Sequence, residues 1–98
     1  MVLGLIGCEN QAGLRDDLGR YWQLSVDTAP DDWRFEAELS GGTPDYIQVD
    51  LYDANGNHLG AFRGSNVVDV PIDSYPTTDR IKVSSGQGGH GVENLIRL

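Results

Sequence analysis

From Tyr21 to Leu98, apolar and polar residues alternate in short runs broken by turn residues. Trp33, Phe35, Ala37 and Leu39 fall on one side of an extended chain; Arg34, Glu36, Glu38 and Ser40 fall on the other. Ile47, Val49 and Leu51 repeat the pattern against Gln48 and Asp50. A period of two means that one face is dry and the other wet, which predicts antiparallel strands packed on a second layer. Strands are predicted over 21–28, 33–39, 45–52 and 58–63. Further strands run through Val68, Val70 and Ile72, then Ile81 and Val83, then Leu95, Ile96 and Leu98. Asn55-Gly56 is a hairpin signal, because both residue types tolerate positive φ. Pro71 lacks an N–H and places the fifth strand at a sheet edge. Gly86 to Gly91 is expected to be a flexible loop.

About seven short strands at this spacing argue for an all-β fold, an antiparallel sandwich of jelly-roll-like or immunoglobulin-like form. With 98 residues the chain makes one domain. The sandwich is assigned to residues 21–98 and an N-terminal arm to residues 1–20. Leu14 and Leu18 are four apart between Gly13 and Gly19, which predicts a short helical turn in that arm.

The arm opens with Met1, Val2, Leu3, Leu5 and Ile6. This stretch is far shorter than the roughly 20 apolar residues of a membrane span. It also lacks the basic region of a signal peptide. An apolar arm is expected to dock on the domain or on a neighbouring subunit, which makes these five residues a candidate interaction site in a homo-oligomer or larger assembly. Leu5-Ile6-Gly7-Cys8 resembles a bacterial lipobox, so Cys8 is a candidate lipid anchor if the natural start lies upstream.

Charge narrows the choice of partners. The formal net charge is −8, with Lys82 the only lysine among seven cations. Nucleic acid is excluded as a direct partner on this count, since neutralising phosphates takes clustered Lys and Arg. A single cysteine rules out a disulfide within these 98 residues. Cys8, His58 and His90 cannot complete a zinc site without carboxylates.

Several segments touch on known chemistry without completing it. Gly86-Gln87-Gly88-Gly89-His90-Gly91 spells G-x-G-x-x-G, but a strand-like segment follows where a dinucleotide fold needs a helix. Asp53, Asn55 and Asn57 match the first ligand slots of an EF-hand, yet His58 and Gly64 occupy the slots that require Gly and Glu. A looser calcium site remains a candidate from Asp50, Asp53 and Asn55, or from Asp31 and Asp32, which are hard oxygen donors. Ser65 follows Gly64 without completing a nucleophile elbow. Glu36 and Glu38 share the wet face of a strand with no cleft indicated. No catalytic residue, cofactor or metal is assigned, and the chain is read as a non-enzyme. Tyr46, Tyr52 and Tyr75 are candidate surface aromatics, suited to stacking on sugar rings or anchoring an interface.

The strand series also resembles a known family. Asp31-Asp32-Trp33-Arg34-Phe35, Val49-Asp50-Leu51-Tyr52-Asp53, Gly56-Asn57 and Arg80-Ile81-Lys82-Val83-Ser84, followed by the Gly-rich segment, are similar to the bacterial pre-peptidase C-terminal (PPC) domain family over about residues 31–98. That resemblance implies a non-catalytic accessory module, often outside the cell. The expected function is therefore a structural or interaction protein of an extracellular or virion-type assembly, such as a phage capsid-decoration protein. Two alternatives stand beside it: a secreted or lipid-anchored module binding carbohydrate or calcium, and an acidic inhibitor that mimics nucleic acid.

Overall fold

The computed structural model describes residues 9–28 and 32–98, with the backbone alone for residues 9–12. Period-two alternation yields eight strands: β1 (Glu9–Arg15), β2 (Tyr21–Thr28), β3 (Trp33–Leu39), β4 (Tyr46–Tyr52), β5 (His58–Gly64), β6 (Val67–Val70), β7 (Arg80–Gln87) and β8 (His90–Arg97). They form two antiparallel four-stranded sheets, ordered β1-β2-β3-β6 and β5-β4-β7-β8. The fold is a β-sandwich.

The predicted dry positions meet between the sheets. Leu24, Val26, Phe35 and Ala37 of the first sheet pack against Ile47, Val49, Leu51, Ile81, Val83 and Ile96 of the second. Val70 of β6 joins the same core. Phe35 is 1% exposed and Ile47, Val49, Leu51 and Ile81 are fully buried.

The predicted helical turn is not formed. Leu14 lies in β1, which pairs with β2 through Leu14↔Trp22 and Arg15↔Tyr21. The four-residue spacing of Leu14 and Leu18 is coincidental: Leu14 packs against the core while Leu18 is exposed in the connecting turn. The extra strand brings the total to one more than the pattern predicts, and part of the predicted arm belongs to the sandwich. Met1 to Cys8, which include the candidate interaction arm and lipid anchor, lie outside the described residues, as does Asp31.

One loop also differs from expectation. Gly86 to Gly91 is no flexible loop: β7 and β8 pair through Gly86↔Gly91 and Gln87↔His90, leaving Gly88 and Gly89 as a two-residue turn. Both have positive φ (63° and 83°), the conformation a tight hairpin needs and a non-glycine residue resists. Asn55-Gly56 lies within the five-residue connection 53–57 that joins β4 to β5 as an antiparallel hairpin, as expected. Pro71 closes β6 at the edge of the first sheet, and Ile72 begins a 3-10 turn (Ile72–Ser74) instead of extending the strand.

Candidate interaction surface

Strand pairing assembles what the linear pattern disperses. The outward positions of β4 are Tyr46, Gln48, Asp50 and Tyr52, the alternates of buried Ile47, Val49 and Leu51. Across the sheet, Gln48 pairs with Arg63 of β5, Asp50 with Lys82 of β7 and Tyr52 with Arg80. Arg80 in turn faces Arg97 of β8, and Lys82 faces Leu95. One sheet face thus holds Arg63, Arg80, Lys82 and Arg97, four of the seven cations in a chain of net charge −8. Among the described residues, the strand carboxylates on this face are Asp50 and Glu93.

These cations are only partly neutralised. The Arg63 guanidinium lies 4.2 Å from the centre of the Tyr46 ring and donates to Gln48 Oε1 at 2.6 Å. This packing holds the arginine flat on the sheet with its charge exposed. Lys82 approaches Glu93 at 3.9 Å, and Arg80 approaches Asp79 at 3.5 Å. Arg80 and Arg97 are direct cross-strand neighbours of like charge, an arrangement that costs stability. Leu95, 57% exposed, adds an apolar spot beside Lys82.

Asp50 is 6% exposed despite facing outward. It accepts a hydrogen bond from Gln48 Nε2 at 3.2 Å and pairs with His58 Nε2 at 3.0 Å. The Tyr52 ring meets His58 edge-on, with ring centres 5.3 Å apart. Asp53 belongs to a separate network. Its Oδ1 accepts from the backbone N–H groups of Asn55 and Asn57, both at 2.9 Å, and its Oδ2 accepts from Asn57 Nδ2 at 3.0 Å. The Asn57 side-chain bond, followed by the backbone bonds, holds its carboxyl below the usual range. The calcium candidates Asp50, Asp53 and Asn55 are therefore engaged in two different tasks. Among the described residues, no group of three or more His, Cys, Asp or Glu side chains is placed to hold a metal.

The three candidate aromatics divide as well. Tyr46 and Tyr52 share the cationic face. Tyr75 follows the 3-10 turn and packs edge-on against Phe62 at 5.6 Å. It lines an open recess of about 330 Å³ at one end of the sandwich, with Trp33, Ile72, Asp73, Pro76, Thr78 and Leu98.

The cationic face leaves no local mark in the sequence, because its members come from three strands whose pairing is not local. The available signal was the outward phase of each strand: Arg80 and Lys82 alternate with Ile81 and Val83, and Arg97 follows Ile96.

The comparisons add no relative: no family model, curated protein or solved structure matches the chain. No helix among the described residues is long and apolar enough to cross a membrane.

Proposed function

We propose that this chain is a non-catalytic interaction protein that works by surface contacts in an extracellular or virion-type assembly, capsid decoration being one such role. The outer face of the second sheet is the contact surface. The observation that carries this reading is the gathering of four cations, two tyrosines and an exposed leucine on one face of an acidic domain. Rigid strands position them, and arginine and tyrosine are the residue types that anchor interfaces. The buried polar side chains are spent on structure: Asp16 organises a turn, Asp50 is bonded to Gln48 and His58, and Ser85 Oγ donates to the Tyr46 carbonyl at 2.6 Å. The likeness to PPC modules points the same way.

Size-exclusion chromatography with light scattering tests it. The chain is expected to exceed its 10.7 kDa monomer mass as the concentration rises to about 1 mM. The double variant Arg63→Glu/Arg97→Glu, at the two most exposed cations of the face, is expected to stay at the monomer mass with unchanged circular dichroism. A wild-type chain that remains monomeric throughout would remove self-assembly through this face.

The end recess favours a second reading, a carbohydrate-binding module. Trp33 and Tyr75 supply aromatic walls, and Asp73 and Thr78 supply polar groups, a combination suited to a sugar ring. A glycan array should then return ligands that Trp33→Ala loses at least tenfold, roughly the 1.4 kcal/mol a modest stacking contact supplies. An array with no bound glycan ends this reading.

A further inference from the structure

The outer face of the first sheet has the opposite character. Outward from β2, β3 and β6 stand Asp27, Glu36, Glu38 and Asp69, against Arg15 and Arg34. Arg34 is committed to Asp69, with Nε to Oδ1 at 2.9 Å. Arg15 lies over the Tyr21 ring and donates to the Gly19 carbonyl at 2.9 Å. Among the described residues, Asp27, Glu36 and Glu38 are the carboxylates of this face outside that ion pair, and Arg34 acts on Asp27 and Glu36 only through space.

From this complementarity we infer that the partner of the cationic face is the acidic face of a second copy, stacked head to tail. The inference rests on the reading of the second sheet's outer face as the contact surface. Two features match beyond the sign of the charge. Glu36 and Glu38 sit two residues apart on β3, an inner strand; Arg80 and Lys82 sit two residues apart on β7, also an inner strand. Both pairs share the two-residue repeat of about 6.8 Å along a strand. Each face also presents apolar surface, Tyr21 (41% exposed) and Val67 (40%) on the first, Leu95 on the second.

The two faces lie on opposite sides of the sandwich, so the contact is heterologous and each docked copy offers a free face to the next. A four-stranded face measures about 19 by 24 Å, so one contact buries roughly 900 Å² in total. That is below the roughly 1,200–2,000 Å² of standard interfaces. The stack is accordingly weak and seen only at high concentration. The acidic turns of neighbouring copies repel, but beyond the Debye length of about 8 Å at physiological salt this is screened, whereas facing charges in contact are not.

Mixing variants decides the matter. Glu36→Lys/Glu38→Lys keeps the cationic face, and Arg63→Glu/Arg97→Glu keeps the acidic one. Each is expected to be monomeric alone at a concentration where the wild type associates, while an equimolar mixture recovers at least a 1:1 complex. Recovery also proves both variants folded. If the wild type associates but Glu36→Lys/Glu38→Lys associates equally well, the cationic face pairs with some other surface; this inference falls and the parent reading stands. If both variants lose association and the mixture recovers none although both melt like the wild type, the head-to-tail arrangement is likewise refuted. A wild type that never associates removes this inference together with self-assembly through the cationic face, and leaves contact with a different protein as the parent reading.

Discussion

Asp16→Ala is expected to lower the melting temperature by roughly 10 °C or more, among the largest effects of any single polar substitution in this chain. The Asp16 side chain is fully buried, and four donors converge on it. Trp22 Nε1 donates at 2.9 Å, Arg20 Nε at 2.8 Å, and the backbone N–H groups of Leu18 and Arg20 at 2.9 Å each. Alanine leaves the indole N–H of fully buried Trp22 without its acceptor, and buried donors without acceptors are costly. The damage then spreads between the sheets. Arg20, held by Asp16, also reaches Gln87 at the β7–β8 turn, bonding its side-chain oxygen at 2.5 Å and its carbonyl at 2.9 Å. His90 meets Asp17 across the same gap at 2.9 Å. Thermal unfolding followed by circular dichroism and tryptophan fluorescence checks the expectation. A melting temperature within a degree or two of wild type would show that water replaces the carboxylate.

The same carboxylate sets part of the acid sensitivity. Burial alone would raise the Asp16 pKa, but the bonds from Trp22, Arg20 and Leu18 outweigh it and lower it from 3.8 to about 2. A carboxyl whose pKa is lower in the folded state binds its proton more readily when unfolded. Its contribution is therefore complete above pH 3.8 and is lost as the pH falls toward 2. Asp69, bonded by Arg34, and Asp53, bonded by Asn57, shift in the same direction. The melting-temperature gap between wild type and Asp16→Ala should narrow across that window.

Local constraints leave the clearest mark in the sequence. β2 and β3 have the predicted bounds, because a buried sheet face imposes a strict period of two and a one-residue slip would expose every core side chain. Pro71 marked an edge strand for an equally local reason. Leu14 misled, because two leucines four apart fit a helix as well as a strand followed by a turn, and only pairing with β2 decides between them. Asp16 carried no signal at all. Its value comes from the burial of Trp22 and the approach of Gln87, far away in sequence. The same holds for the cationic face, whose arginines are solitary along the chain and become neighbours only once β4, β5, β7 and β8 are aligned. Residues 86–91 looked mobile because they are rich in glycine, yet two of those glycines enable the tightest turn in the second sheet.

Gly64→Ala should prove nearly as damaging as Asp16→Ala, for a purely steric reason. β5 ends at Gly64 in the second sheet, and β6 begins at Val67 in the first, so only Ser65 and Asn66 make the crossing. The chain folds back so closely there that a Cβ on Gly64 would overlap the Val67 carbonyl oxygen and stand 3.4 Å from the Val68 Cβ. Because the obstacle is backbone, no rotamer change relieves it; the corner itself must open. Opening it pulls on the Asn66 carbonyl, which accepts the Ala37 N–H at 2.8 Å, and on the Phe35↔Val68 pairing over the core. Overpacking without a yielding neighbour costs about 2–3 kcal/mol, enough to lower a urea midpoint by roughly 1–2 M in a domain of this size. Gly60→Ala provides the control. Its added Cβ would meet the Tyr75 ring at 3.2 Å, a side chain at the rim of the open recess that can tilt away, so its cost should stay below about 1 kcal/mol. Equal midpoints for the two variants would mean that the crossing relaxes freely and that backbone crowding at Gly64 does not constrain this corner.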